Sequence, residues 1–331
     1  MPRTARRWVA DGQMPSFECT SWPLEREDDG ELVATLVRKR VDAFGEPGGP
    51  PRAGRTAFLY LHGFVDYWFH DHVAVGLLDA GIDFYALEMR RAGRSLRAGN
   101  RPNYCTAVTE YFPEISAAID VIMQEDAHTD VVLYGHSTGG LVAALYADRG
   151  ERRTSLSAVV LNSPFFGFKV NGLQKFKLPI AVTVGGTFPT LNDKHAISPM
   201  YGEGLHVSRR GEWNYYLAWK PIDGFPAYFG WVRAIKHGHD GVRAGLAIAC
   251  PVLVLHSDKS DGGSTWSDAF MSADIVLDVA HMRAYSGGLG TRVTRTEIPD
   301  AIHDVMLSRP PVRERALATM LQWLSTNAAS A

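Results

Sequence analysis

The sequence predicts an α/β fold, a mostly parallel sheet covered by helices on both faces and interrupted by one inserted segment. Three observations carry this expectation. Short apolar runs alternate with helix-period stretches along the chain, the order that builds a parallel sheet through crossover helices. The apolar run Val131–Tyr134 stops at Gly135 and a small-residue helical pattern begins beyond Ser137, so strand, abrupt turn and helix follow within a few residues. Between residues 163 and 245 the composition shifts to aromatics broken by Pro and Gly, and a strand pattern resumes at Cys250.

At 331 residues and 46% hydrophobic, the chain is long enough for one α/β domain carrying an insertion. A formal net charge of −2 offers no excess for a polyanion. The arginines of Arg3–Arg7 are too few for a nucleic-acid arm and are balanced by the acidic run Glu25–Glu31, so no nucleic-acid partner is expected. Cys19, Cys105 and Cys250 lack metal-ligand spacing, and an odd count cannot complete an intramolecular disulfide framework, so they read as structural thiols. No apolar h-region follows the basic N-terminus, and no run reaches the roughly 18 apolar residues that span a bilayer. A soluble cytoplasmic protein is expected, with transient contact at a lipid surface left open, as is the oligomeric state.

Taken in order, residues 1–20 read as a loosely defined arm and Leu32–Val41 as a strand, followed by a Gly/Pro-rich turn at Gly45–Gly54. Thr56–Leu61 is a central strand ending in His62-Gly63-Phe64. A glycine just beyond a strand lets backbone N–H groups turn inward, so the Phe64 N–H is one candidate oxyanion donor. The Thr138 N–H, just after Ser137 at a helix start, is the second. His62 is expected to bond this loop as a packed imidazole. Val73–Ala80 reads as a helix and Phe84–Leu87 as a strand, after which the charges of Glu88–Ser95 tie neighbouring loops together. Asp66 and Glu88 are expected to supply supporting hydrogen bonds. Glu110–Gln124 carries the apolar stripe Phe112, Ile115, Ile119 and Ile122 of a helix, and Ser157–Asn162 is another strand.

The aromatic segment then reads as a lid over residues 163–245, between core portions at 1–162 and 246–331. Its aromatic faces either line an acyl-binding tunnel or bury against the core. Cys250–His256 restarts the sheet, Ser257–Met271 is a polar excursion, and Asp274–Asp278 leads into a helix near Val279–Tyr285. A strand at Arg292–Ile298, then His303, then an amphipathic helix at Arg313–Leu324 complete the order.

Ser137 is the candidate nucleophile because Gly135 and Gly139 have the spacing a strand turning directly into a helix demands, where side chains two residues either side find no room. GHSTGG lacks the dinucleotide glycine spacing, and no GK[ST] follows it. His70-Asp71-His72 lacks a well-spaced third metal partner, and His237 and His239 read as structural, so neither metal nor cofactor is expected.

GHSTGG around Ser137, His62-Gly63-Phe64, DYWFHDH, EMRRAGRS, WNYYLAWKP beside Trp231, and ADIVLD ahead of His303 together resemble the α/β-hydrolase superfamily. Over roughly residues 30–325 the chain is similar to its serine aminopeptidase-like branch of lysophospholipases and monoacylglycerol lipases. The resemblance implies a Ser-Asp-His triad, an oxyanion hole and acyl esters as small-molecule substrates, of monoacylglycerol or lysophospholipid type, and the aromatics of residues 163–245 favour medium or long acyl chains. Ser137 would attack the acyl carbonyl, His303 would take its proton and return it to the leaving alkoxide, and a carboxylate would orient His303. Asp258, Asp261, Asp274 and Asp278 compete for that role. The resemblance to a strand-loop-Asp-hydrophobic pattern favours Asp274, 29 residues before His303, over Asp258, 45 before it. The Ser257–Ala273 excursion departs from that pattern and keeps Asp258 in contention. A serine peptidase and a non-catalytic ligand-binding protein on the same fold are the alternative readings.

Overall fold

The computed structural model describes residues 6–39, 54–170, 172, 174–194 and 198–328. Its strands are β1 (Val9–Ala10), β2 (Phe17–Pro23), β3 (Val33–Lys39), β4 (Thr56–Leu61), β5 (Asp83–Glu88), β6 (Asp130–His136), β7 (Leu156–Asn162), β8 (Asn192–Asp193), β9 (Ala227–Tyr228), β10 (Val252–Ser257) and β11 (Val293–Ile298). The main sheet has the order β1-β2-β3-β5-β4-β6-β7-β10-β11, and β8 pairs with β9 apart from it. The five pairings from β5 to β11 are parallel; β1, β2 and β3 join antiparallel at one edge.

Because successive strand residues point to opposite faces, the apolar strands feed two cores. Leu59, Leu61, Val131, Leu133, Val159 and Leu161 pack on one face. That face is covered by α2 (Phe112–Asp120 in the chain) and by α3 (Thr138–Arg149), reached after α1 (Asp71–Asp79) on the opposite side. Phe58, Tyr60, Val132, Tyr134, Val160 and Leu253 pack on the other face, where Val73, Ala74 and Leu77 of α1 meet Ala316, Met320 and Leu324 near the C-terminus. Tyr60 and Tyr134 are register partners in β4 and β6, and their rings stack at 5.2 Å.

Between β7 and β10 the chain leaves the sheet and forms α4 (Gln174–Val184), α5 (Met200–Leu205) and α6 (Phe229–Arg243). The last of these is seated on the core: Ile235, His239 and Val242 are buried, and a Cβ on Gly238 would lie 3.0 Å from Leu141 of α3. The helices α7 (Val279–Tyr285) and α8 (Pro310–Asn327) follow.

Several expectations need correction. The supposed N-terminal arm contains β1 and the start of β2, because Phe17 is buried against Trp68 and Phe84 while β2 pairs along its length with β3. The helix expected over Glu110–Gln124 is a 3-10 turn at Val108–Tyr111, then α2, then a π turn at Val121–Glu125. Pro113 explains the late start of α2, since proline is accommodated in a first turn, where its missing N–H has no intrahelical partner to lose. The expected strand Leu32–Val41 is observed as β3; residues 40–41 and 45–53, including most of the expected turn, lie outside the described residues. The acidic run, read from the sequence only as a charge balance, forms ion pairs of its own: Glu27 and Asp29 pair with Arg91, and Asp28 with Arg101, while Arg6 meets Glu125.

The turn after β6 leaves no room for a side chain at either of its glycines. A Cβ on Gly135 would overlap the Gly139 carbonyl, and one on Gly139 would overlap the carbonyl oxygens of Leu61 and His62. Neither neighbour is a side chain that could swing aside. We therefore expect Gly139→Ala to lower unfolding stability by about 3 kcal/mol or more, with Gly287→Ala, which meets no atom within 4 Å, near wild type. Urea denaturation followed by circular dichroism measures both, and equal midpoints would refute the steric account.

Candidate active site

Topology gathers the site before any side chain is considered. The chain leaves β4 toward β5 on one side and later places β6 on the other, so the winding direction reverses between β4 and β6. A parallel sheet opens a crevice at the carboxyl ends of two such strands. The Phe64 loop follows β4, Ser137 and Thr138 follow β6, Asp274 lies beyond β10, and His303 lies beyond β11.

Ser137 has φ 53° and ψ −116°, a conformation costing on the order of 1–3 kcal/mol that persists only when its surroundings over-determine it. They do so through four hydrogen bonds. Its N–H donates to the Asn162 carbonyl at 3.0 Å, and its own carbonyl accepts from the N–H groups of Gly140, Leu141 and Phe165 at 2.9, 3.2 and 3.0 Å. Thr138 opens α3, where the unsatisfied N–H groups and the helix dipole favour negative charge.

Among the four competing acids, Asp274 is the one bonded to His303. Its Oδ2 accepts from His303 Nδ1 at 2.9 Å, while its Oδ1 accepts from the N–H groups of Val276 and Leu277 at 2.8 and 2.7 Å. Asp258 instead accepts from the Asp300 N–H, Asp261 from the Gly262 N–H, and Asp278 caps α7 through the Ala280 N–H. The polar excursion leaves Asp274 in place because it is closed at its base. Ser260 and Asp274 form a parallel bridge, with the Asp274 N–H donating to Lys259 O and the Asp261 N–H to Asp274 O, both at 3.0 Å. Residues 261–273 therefore bulge outward from a fixed neck. Burial alone would raise the Asp274 carboxyl, but the adjacent His303 and the two N–H donors hold it below its ordinary value.

The loop after β4 is equally constrained. The Met89 N–H donates to His62 Nε2 at 3.2 Å, so Nδ1 carries the proton and donates to the Gly63 carbonyl at 2.7 Å. His62 thus bonds the loop as expected. Val65 stands at φ 52° and donates its N–H to Asn103 Oδ1 at 2.8 Å. Asp66 Oδ2 accepts from the Gly63 N–H at 3.3 Å, and Asp66 Oδ1 accepts from Lys220 Nζ at 2.6 Å. Burial pushes the Asp66 carboxyl up; the Lys220 ammonium overrides this and holds it well below the carboxylate range. Glu88, also expected as a support, accepts from the Trp68 N–H at 3.2 Å and pairs with Arg94.

The histidines weighed as metal ligands lie apart from Asp274 and His303, whereas His136 lines the cavity with its ring 4.9 Å from that of His303. His70 packs between Trp68 and Tyr60, and burial pushes it down to about 3, while Asp71 pairs with Lys39. His239 lies edge-on to Phe165 and Phe168 and is likewise pushed down by burial to about 3.

Sequence reasoning missed three residues that organise this region. Asn162 is fully buried: its side-chain Nδ2 donates to Asp304 Oδ1 and Tyr134 OH, both at 2.6 Å, and its Oδ1 accepts from the Val305 N–H at 3.2 Å. It therefore ties the turn of Ser137 to the loop of His303. Asp304 also accepts from the Met306 N–H, and Tyr201 OH accepts from the Asp304 N–H at 3.1 Å. A polar residue ending the otherwise apolar run of β7 was the available signal for Asn162; nothing local marked Tyr201.

Ser137, Thr138, Phe64 and His303 line one cavity of about 1390 Å³. Its apolar wall includes Leu178, Ala181, Phe165, Trp231 and Val232, and the Phe64 and Trp231 rings lie 4.2 Å apart. Sheet order, crevice and elbow place the chain in the α/β-hydrolase class. The profile of the serine aminopeptidase S33 family matches residues 53–261, and the chain belongs to that family.

A curated protein of Schizosaccharomyces pombe named "Putative monoglyceride lipase" is 25% identical over 128 residues, which span 38% of this chain and only 33% of that relative's length. The crystal structure of a soluble variant of monoglyceride lipase from Saccharomyces cerevisiae, in complex with a substrate analog, superposes with a TM-score of 0.64 at 16% identity, covering 92% of this chain and 95% of that one. A thermostable carboxyl esterase from Bacillus coagulans in complex with glycerol gives 0.63 at 12% identity, covering 94% and 99%. These structural likenesses are likenesses of fold.

Proposed function

We propose that the protein is a serine hydrolase of carboxylic esters, acting on medium- or long-chain esters of monoacylglycerol or lysophospholipid type. The observation that carries this reading is the Asp274–His303 hydrogen bond beside the cavity that Ser137 and His303 share. With Nδ1–H directed at Asp274, Nε2 is the nitrogen left to take the proton of Ser137 Oγ as that oxygen attacks the acyl carbonyl. The N–H groups of Phe64 and Thr138 stabilise the developing oxyanion. His303 then protonates the leaving alkoxide, and a second cycle with water releases the acid. The relatives named as a monoglyceride lipase and a carboxyl esterase agree with this chemistry.

Residues 163–245 act in this reading as the lid, and their apolar wall receives the acyl chain. The outer surface of the same region exposes Phe176, Ile180, Phe188 and Leu191, flanked by Lys175 and Lys177. Ile180 and Lys177 also line the cavity, so one helix faces both solvent and substrate. We infer transient seating of this patch on a lipid surface, the source of such substrates. No helix among the described residues is long and apolar enough to cross a membrane.

A serine-reactive fluorophosphonate should label Ser137, and Ser137→Ala should abolish ester turnover. Asp274→Asn should lower kcat by roughly four orders of magnitude with folding retained, by analogy with the effect of removing an orienting carboxylate in another triad. Labelling elsewhere, or full turnover by Ser137→Ala, would reject the mechanism. Because each buried methylene contributes about 0.8 kcal/mol, kcat/KM for an octanoyl or decanoyl glycerol ester should exceed that for acetyl glycerol by about 100-fold or more, after the costs of ordering the wall. A series of chain lengths, each assayed below its micellar transition, decides this; a maximum at acetate rules out the acyl wall. Sedimentation with phosphatidylcholine vesicles should fall several-fold in Phe176→Ser/Ile180→Ser, and unchanged sedimentation would count against lipid seating.

A further inference from the structure

The described residues hold one buried cation that crosses from the segment between β7 and β10 to the loop of Phe64, and the triad chemistry makes no use of it. Lys220 is 7% exposed and lines the cavity. Its ammonium donates to Asp66 Oδ1 at 2.6 Å and to the Val65 carbonyl at 3.4 Å. The other oxygen of that carboxylate accepts from the Gly63 N–H at 3.3 Å. Phe64 is thus bracketed: the residue before it is held through Asp66, and the residue after it is held by Lys220 directly.

That bracket meets a strained backbone. Val65 is β-branched at φ 52°, where such a residue is a genuine outlier, so the loop keeps this shape only while its neighbours impose it. The anchor of Lys220 is itself docked on the same loop. The Tyr216 N–H donates to Tyr67 OH at 2.7 Å, the Lys220 N–H donates to the Tyr216 carbonyl at 3.1 Å, and the rings of Trp219 and Tyr67 meet edge-on at 5.3 Å.

We propose that Lys220 is a positioning residue that aims the Phe64 N–H into the cavity, so that the oxyanion site is complete only when the segment around Tyr216–Lys220 is docked. This rests on the ester-hydrolase reading above. A cation serving stability alone would behave differently from one serving position. A buried ion pair is often replaceable as a pair at little cost, whereas removing one partner strands the other charge.

The test uses Lys220→Met and Lys220→Met/Asp66→Asn in the full chain, with thermal unfolding and steady-state kinetics on a soluble monoester. For Lys220→Met we expect kcat to fall about tenfold or more with KM within about threefold, since a misaimed donor loses stabilisation that exists only in the transition state. The double variant, with no stranded charge, should regain thermal stability and still lack kcat. Wild-type kcat in Lys220→Met, or recovery of kcat together with stability in the double variant, would overturn the proposal. If Lys220→Met does not fold, the double variant decides by the same criterion. Ser137→Ala is assayed alongside: turnover persisting there removes the ester-hydrolase reading, whereas turnover lost there and kept in Lys220→Met removes only the role of Lys220.

Discussion

A serine at φ 53° and ψ −116° survives in a folded chain because the atoms around it leave it no other conformation, and in this protein those atoms come from several separate elements. β7 supplies the carbonyl that takes its N–H, and α3 and Phe165 supply the donors to its own carbonyl. Gly139 lies against the carbonyls at the end of β4, so the approach that forms the elbow also sets where the Phe64 loop begins. The turn of Ser137 and the loop of Phe64 are therefore placed by the same close packing. The two glycines matter for what they lack: any Cβ at either position would push β4, β6 and α3 apart.

The second requirement is electrostatic. Several carboxylates are buried around the cavity, and each has a different set of partners. Asp274 has one oxygen on backbone N–H groups and the other on His303; Asp66 has Lys220 and the Gly63 N–H; Asp304 has Asn162 and the Met306 N–H. Asp304, although adjacent to His303 in the chain, is not the carboxylate bonded to it: its Oδ1 accepts from Asn162, and its Oδ2 lies 3.9 Å from His136. A carboxylate without donors here would favour its neutral form, which could not hold an imidazolium.

What could be read in the sequence was what short-range chemistry writes there. Ser137 was legible because the strand, the two glycines and the small-residue helix lie within one stretch, and β4, β5, β6, β7 and β10 were legible because each is an apolar run, whereas the two-residue strands β8 and β9 carry no such signal. Asp274 was less distinct. Its position depends on the Ser260–Asp274 bridge, a pairing that closes the excursion and has no local signature. β1 and β2 were missed because their stability comes from pairing with β3 and from Phe17 meeting aromatics far along the chain. Asn162 with Asp304, separated by 142 residues, and Asp66 with Lys220, separated by 154, are contacts that only the fold creates.

The segment between β7 and β10 is tied to the core at points that bear on the site. Near its start, Phe165 donates to the carbonyl of Ser137; near its end, α6 lies on α3, the helix that begins at the elbow. Between those roots, Leu178, Ala181 and Trp231 form the apolar wall, and Lys220 reaches back to the loop after β4. In the proposed reaction the sheet and its turns would hold the reacting groups still while the composition of α4 and α6 would set which acyl chains fit. A change in wall residues would, on this reading, alter binding along the acyl chain, which the ground state and the transition state share. On the positioning role proposed for Lys220, a change there would act instead on the direction of an N–H, felt only as charge develops on the carbonyl oxygen. On that reading substrate choice and rate would be separable in this fold even though both would depend on the same segment, with Lys220 where the two meet.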